Sequence, residues 1–185
     1  MTLVGVDEAG RGPLAGPVFA AAVWLTEEQA QELVALGLRD SKKMTPLRRQ
    51  KVYARMRELG VVMAIAGASP RRIDRVNILR ATLGAMAKAV HKLPFTPDGV
   101  VVDGNQLIPG LNCYQQSVIG GDDLYPQISA ASVAAKVTRD WLMDALARRY
   151  PHYGFEGHKG YGTAAHRQAI RTYGPCPAHR RSFKW

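Results

Sequence analysis

Cysteine is nearly absent: Cys113 and Cys176 are the only two in 185 residues, far apart and outside any C-x-x-C pair. That excludes a disulfide framework and a thiolate zinc site, and it leaves reduced thiols as the expectation. No run of 18 apolar residues occurs, so no membrane-spanning helix is expected. The N-terminus lacks a basic stretch followed by an apolar core, so no secretory leader is expected either. Internal repeats and low-complexity linkers are also missing. These absences point to a cytoplasmic protein with no membrane partner. Acids are scarce as well, with 15 Asp and Glu against 25 Lys and Arg, a formal net charge of +10. Such an excess suits a polyanion partner, although it also suits mere solubility.

The distribution of charge is more telling than its sum. Residues 39–58 carry eight Lys or Arg against Asp40 and Glu58, and residues 136–185 carry ten against Asp140, Asp144 and Glu156. The remainder is net acidic, which fits an acidic centre flanked by phosphate-binding surfaces. At 46% hydrophobic the chain can build one well-cored domain and is too short for two comfortable ones.

Leu3 to Val6 reads as a buried strand that ends at Asp7, because Gly10, Gly12, Pro13, Gly16 and Pro17 oppose its continuation. Val18 to Leu25 reads as a second strand, antiparallel to the first. Thr26, Thr45-Pro46 and Ser69-Pro70 are helix-start signals. They predict helices over Glu27–Leu36, from Pro46 to about Leu59, and from Pro70 to about Leu93 with a break near Asn77. Val61 to Ala68, Gly99 to Asp103 and Cys113 to Ile119 are further strands. Gly120 to Asp123 is a turn, Ile128 to Tyr150 a long Ala-rich helix, and Thr163 to Thr172 a last one. Strands alternating with helices imply an α/β or α+β sheet covered by helices, whose ligands gather at strand carboxyl ends.

Two apolar runs, Leu3–Val6 and Gly99–Val102, each deliver an acid followed by glycine. If these strands are parallel neighbours, Asp7 and Asp103 meet at one edge. Adjacent carboxylates repel and tend to hold protons unless a cation compensates. A solvated Asp-Glu pair at a turn is the plainer reading of Asp7 and Glu8 alone; the second strand favours a metal. Asp122 or Asp123 supplies a further acid for an oxygen-only cluster suited to Mg²⁺ or Mn²⁺. Two ions would roughly neutralise four carboxylates and, about 3.5–4 Å apart, clamp an in-line phosphoryl displacement. Side-chain alternation separates Glu8 from Asp7 unless the strand has already ended.

Several motifs in order carry a resemblance: Gly5-Val6-Asp7-Glu8-Ala9-Gly10-Arg11-Gly12-Pro13, Asp40-Ser41-Lys42-Lys43, Val102-Asp103-Gly104, Ile128-Ser129-Ala130-Ala131-Ser132, Lys136-Val137-Thr138-Arg139-Asp140 and Gly160-Tyr161-Gly162-Thr163. Over nearly its whole length the sequence resembles bacterial ribonuclease HII, the type 2 ribonuclease H. The resemblance implies a ribonuclease H-like mixed sheet flanked by helices. Residues 1–185 would form one domain, with a catalytic core to about 150 and a C-terminal helical and loop extension over 151–185 that binds substrate. It implies a metal-dependent endonuclease acting on RNA/DNA hybrids and on single ribonucleotides in duplex DNA, cutting 5′ of the ribonucleotide to leave 3′-hydroxyl and 5′-phosphate ends, as ribonucleotide excision and primer removal require. A monomer is expected.

By motif position the resemblance puts the metal-binding acids on Asp7, Glu8, Asp103 and Asp122. It gives Gly10, Arg11 and Gly12 the reading of the ribose 2′-hydroxyl, and it packs Tyr161 on the junction sugar. Glycines do admit close backbone approach, and the 2′-hydroxyl is what separates RNA from DNA. Ser41, Lys42 and Lys43 are expected at phosphates. Ser129 and Ser132 either cap the long helix or donate to a phosphate. His158, His166 and His179 are read as surface or nucleic-acid contacts, Asp140 as the partner of Lys136, and Trp24, Trp141 and Met143 as core. Arg48, Arg49, Lys51, Arg55 and Arg57 are read mostly as a solvated helix face. The sequence departs from many bacterial members in having Gly120 where they carry lysine. The rival readings are a resolvase- or integrase-like nuclease, which has no use for 2′-hydroxyl sensing, and a non-catalytic hybrid-binding module, which has no use for intact acids.

Overall fold

The computed structural model describes residues 1–39 and 41–185, so Asp40 of the Asp40-Ser41-Lys42-Lys43 motif lies outside the described residues. Five strands form one mixed sheet: β1 (Leu3–Ala9), β2 (Val18–Trp24), β3 (Val62–Ala68), β4 (Gly99–Asp103) and β5 (Tyr114–Val118), in the order β3-β2-β1-β4-β5. β1 pairs antiparallel with β2, and β2 with β3, while β1–β4 and β4–β5 are parallel. The register Val6↔Val102 makes Asp7 and Asp103 the next residues along adjacent parallel strands.

Helices cover both faces. On one lie α1 (Glu27–Ala35), α2 (Pro46–Glu58) and the 24-residue α6 (Pro126–Arg149), joined to the sheet by a core that includes Ala21, Val23, Leu33, Met56, Ala131 and Ala134. α6 can lie directly on β1 because Gly5 offers no side chain; a Cβ there would overlap the backbone of Gln127 and Ile128. On the other face α4 (Ile78–His91) covers Val4, Val6, Val100 and Val102 with residues such as Met86, and α3 (Pro70–Val76) packs Ile73 with Val18 and Ala68. A short α5 (Gly121–Leu124) precedes α6, and α7 (Phe155–His158) and α8 (Ala164–Tyr173) follow it. The C-terminal segment builds its own core on the far half of α6, from Met143, Ala147, Tyr153, Phe155 and Ile170, with Leu14 and Ala15 joining from the β1–β2 connection.

The caps expected at Thr26, Thr45 and Ser69 are present, and Asn77, expected only as a break, is a cap too. Thr26 closes a capping box with Gln29, and Thr45, Ser69 and Asn77 each accept an amide N–H three residues on. Asn77 does so at φ 73°, and this is the break between α3 and α4. Three expectations need correction. β1 does not end at Asp7 but runs to Ala9, because Glu8 and Ala9 remain paired with Ala20 and Phe19 of β2. Residues 120–123 are not a simple turn: α5 starts at Gly121 after Gly120, whose φ of 68° favours glycine. Trp141 is not core; it is 47% exposed on α6 and meets Tyr53 edge to face at 5.4 Å, while Met143 is fully buried. Among the described residues, no helix is long and apolar enough to cross a membrane.

Candidate active site

The parallel pairing of β1 with β4 carries Asp7 and Asp103 to one edge, and α5 brings Asp122 to the same place. One carboxylate oxygen from each of the three lies within 4.8 Å of the others. Asp103 is oriented by the Gly121 N–H, which donates to its Oδ1 at 2.9 Å. A Cβ at 121 would press on the Ile128 side chain, which would have to shift. Ser129 is buried in α6 and donates to the Asp122 carbonyl oxygen, tying α5 down. Ser132 is also buried, 2.8 Å from the Ser41 hydroxyl. Neither serine caps the helix.

Asp7 is 3% exposed. Its Oδ1 accepts the Glu8 N–H at 2.7 Å, while Oδ2 is buried and accepts no hydrogen bond of normal geometry. Burial, followed by the charges of Glu8 and Asp103, pushes the Asp7 carboxyl well above the usual carboxylate range, and the Ser132 hydroxyl only partly opposes this. Such an oxygen, desolvated and facing like charges, has the chemistry to coordinate a cation. The donor set is carboxylate only, which suits a hard divalent ion.

Glu8 is not among the three clustered acids. Because β1 persists past it, its side chain points to the α4 face, into a cleft shared with Arg11, Leu79, Thr82 and Asp103. Burial raises its carboxyl, the charge of Arg11 opposes the rise, and Asp103 adds to it. Asp103 thus stands between Glu8 and the other two acids.

The remaining predicted residues surround this edge. Arg11 is half exposed, 3.7 Å from Glu8. Tyr161, 48% exposed, lies beside the Gly10–Gly12 loop, where a Cβ on Gly12 would sit 3.6 Å from its ring. Ser41–Lys43 forms a 3-10 turn. There Ser41 is buried, Lys42 is exposed, and Lys43 spans to both oxygens of Asp123 at 2.8 and 2.5 Å. Arg49 departs from the expected solvated face: it is buried and donates to the Ser41 and Met44 carbonyls at 2.8 and 2.6 Å. Asp140 pairs with Lys136 at 2.7 Å as expected, and with Arg49 at 3.5 Å.

The histidines also differ from expectation. His166 and His179 are buried rather than superficial. The Cys176 N–H donates to His179 Nδ1 at 2.9 Å, so His179 carries its proton on Nε2 and donates to His166 Nε2 at 3.0 Å. His166 then donates from Nδ1 to the Tyr161 carbonyl at 2.8 Å. This chain works only with both rings neutral, and burial depresses both: His166 falls below its ordinary range and His179 falls to about 4. The histidines therefore hold the Tyr161 loop in place. No spacing in the sequence signals this, because the partners come from separate loops.

A cleft of about 420 Å³, lined by residues such as Leu93, Phe95 and Cys113 at the opposite end of the sheet, has neither carboxylates nor Lys or Arg. The clustered carboxylates lie at the sheet edge instead.

A mixed five-stranded sheet with acids at the ends of its central parallel strands is the architecture of the type 2 ribonucleases H. The ribonuclease H2 of Pyrococcus horikoshii superposes with a TM-score of 0.83 at 28% identity, covering 100% of this chain and 94% of that one. The Archaeoglobus fulgidus ribonuclease HII, solved with PCNA, shares the fold at TM-score 0.84 and 24% identity, with 100% and 96% covered. The ribonuclease HII family model matches residues 4–185. Ribonuclease HII of Delftia acidovorans is 54% identical over 181 residues, spanning 98% of this chain and 75% of that protein, and that of Acaryochloris marina is 50% identical, spanning 98% and 91%. The chain belongs to the ribonuclease HII family. It is a metal-dependent ribonuclease of the ribonuclease H type.

Proposed function

We propose that this ribonuclease cuts the RNA strand of RNA/DNA hybrids and, in duplex DNA, the 5′ side of a single embedded ribonucleotide, leaving 3′-hydroxyl and 5′-phosphate ends. The observation that carries this reading is the carboxylate cluster with its unsatisfied Asp7 Oδ2, set beside a glycine-flanked Arg11 and an exposed Tyr161. Asp7, Asp103 and Asp122 would hold a divalent ion, and Glu8, sharing Asp103, would help to hold a second. Mg²⁺ and Mn²⁺ both suit these oxygens. When bound, such ions activate water and stabilise charge on the leaving oxygen.

The protein's own groups bind and orient the strand. Gly10 and Gly12 let the backbone reach the ribose, the Tyr161 ring packs on the sugar, and Arg11 and Lys42 neutralise phosphate charge. Arg71, Arg72 and Arg75, all exposed on α3, extend the basic surface. α3 follows the carboxyl end of β3, and Ala68 at that end pairs with Val18 at the start of β2, so the three arginines share the acidic edge. A local charge count over the sequence ends does not reveal this patch. We read the chain as one monomeric domain whose residues beyond about 151 carry the sugar-contacting loop.

The test offers three duplexes, one with a single ribonucleotide, one of DNA alone and one a continuous hybrid, each with Mg²⁺, Mn²⁺ or chelator. Metal-dependent cutting at the ribonucleotide, with the all-DNA duplex left intact, is expected. Equal cutting of the all-DNA duplex would favour a resolvase-like enzyme.

A further inference from the structure

Two arginines, Arg139 of α6 and Arg180 of the C-terminal tail, are completely buried. Neither forms an ion pair among the described residues; instead both guanidinium groups are spent on backbone carbonyls. Arg180 donates to Gly10, Arg11 and Gly16 at 2.5, 2.9 and 2.9 Å. Arg139 donates to Ala15, Pro17 and Lys159 at 3.0, 3.1 and 2.9 Å. Five of these six acceptors lie in residues 10–17, which connect the acid-bearing β1 to β2. The sixth adjoins the Tyr161 loop. That loop is tied to the same segment by the Leu14 N–H, which donates to the Gly160 carbonyl at 2.8 Å. The tail is held in turn: the Arg180 N–H donates to the Leu14 carbonyl, and the Gly16 N–H to the Ala178 carbonyl, both at 2.8 Å.

This is a costly way to secure a loop. Burying two like charges near each other, with no carboxylate in contact with either, is less stable than an apolar pair of the same volume. The cost is visible in Arg180, which burial and the charge of Arg139 depress to about 9. What an apolar pair cannot do is fix the direction of several consecutive carbonyls. A guanidinium is a planar fork with donors at set angles, and here it determines how the Gly10-Arg11-Gly12 backbone is presented. Gly10 is shaped around it: φ is 97°, and a Cβ would overlap Arg139 Nε.

We propose that Arg180, with Arg139, is a positioning residue for substrate discrimination: the buried pair locks the Gly10–Gly12 loop against the Tyr161 loop, and the preference for a ribose at the site depends on that lock. This rests on the reading that the Gly10–Gly12 loop senses the ribose.

The test is a binding measurement in chelator, which does not depend on turnover. Dissociation constants are measured for a duplex with one ribonucleotide and for the same duplex in DNA alone. The proteins are the wild type, Arg180→Lys, Arg180→Met and Ile170→Ala, the last a control that loosens the C-terminal core without removing any donor to the loop carbonyls. The ratio of the two constants should fall at least fivefold in Arg180→Lys, whose single ammonium cannot hold both the Gly10 and Arg11 carbonyls. It should approach one in Arg180→Met and stay at the wild-type value in Ile170→Ala. Arg180→Lys keeps the buried charge, so it remains informative if the methionine variant does not fold. A folded Arg180→Lys protein with the wild-type ratio overturns the proposal, as does a ratio that falls equally in Ile170→Ala. A wild-type protein with no preference for the ribonucleotide instead overturns the reading on which the proposal rests.

Discussion

Asp7→Asn should stabilise the metal-free protein while abolishing its cleavage activity. The substitution is nearly isosteric and keeps the acceptor for the Glu8 N–H. It removes the buried carboxylate whose Oδ2 has no hydrogen-bond partner and whose neighbours Asp103 and Asp122 lie within 4.8 Å. At that spacing two unit charges repel by about 3.5 kcal/mol at an effective dielectric of about 20. The wild type escapes part of this by taking up a proton, at a cost of about 1.4 kcal/mol for each unit by which the pH exceeds the carboxyl's unfolded-state pKa. A net gain of about 1–3 kcal/mol at pH 8 is expected, or a rise in Tm of about 3–8 °C for a protein of this size. The sign with pH follows from the raised carboxyl. An acid whose pKa is higher in the folded state costs stability as pH rises through that pKa, and costs nothing below the unfolded value of 3.8. The advantage of the variant should therefore shrink from pH 8 to pH 5. Added Mn²⁺ should reverse the order, since it stabilises only the protein that can bind it in the folded state. Thermal melts in chelator and in Mn²⁺ at the two pH values read all of this. A variant that melts below the wild type in chelator at pH 8 would refute the claim that the cluster is strained by its own charge.

Four other outcomes are expected. Gly5→Ala should destabilise by at least about 2 kcal/mol in urea unfolding, because its Cβ meets the α6 backbone rather than a movable side chain. Gly84→Ala, in open space on α4, should instead stabilise by about 0.5–1 kcal/mol with unchanged activity. His179 is held near 4 in the folded protein against about 6.5 unfolded. The stability this confers is complete above pH 6.5 and is lost as pH falls towards 4, a drop on the order of 2–3 kcal/mol. His179→Asn, which can still accept the Cys176 N–H, should flatten that part of the urea midpoint's pH profile. Replacing Arg71, Arg72 and Arg75 together with glutamine should reduce the slope of log affinity against log salt for a long duplex by up to about 2.7. An unchanged slope would remove α3 from the binding surface.

The elements set by local signals were legible in the sequence. Gly99–Asp103 is bounded by glycines around a valine run, and Thr26, Thr45, Ser69 and Asn77 cap helices through contacts within three residues. The parallel neighbours β1 and β4 followed from two runs of the same design. What failed was non-local. β1 continues to Ala9 because Phe19 and Ala20 supply its ladder partners, and glycines at 10 and 12 do not reveal that. Arg49, Arg139 and Arg180 counted as surface charge in any composition, since only the folded chain brings carbonyls to them. The histidines were misread for the same reason: His166 and His179 bury themselves by satisfying each other and two backbone groups.

The strand's persistence also bears on the acids themselves. Were β1 to end at Asp7, Glu8 could have turned to join the same cluster, crowding four carboxylates around one point. Instead the pleat sends Glu8 to the α4 face and leaves Asp103 between two groups. Arg139 and Arg180 complete this division of charge. Six carbonyls of the neighbouring loops occupy the guanidinium donors, and neither group pairs with Asp7, whose Oδ2 has no hydrogen-bond partner. The buried arginines thus act on the loop backbone and leave the charge of the acidic cluster uncompensated.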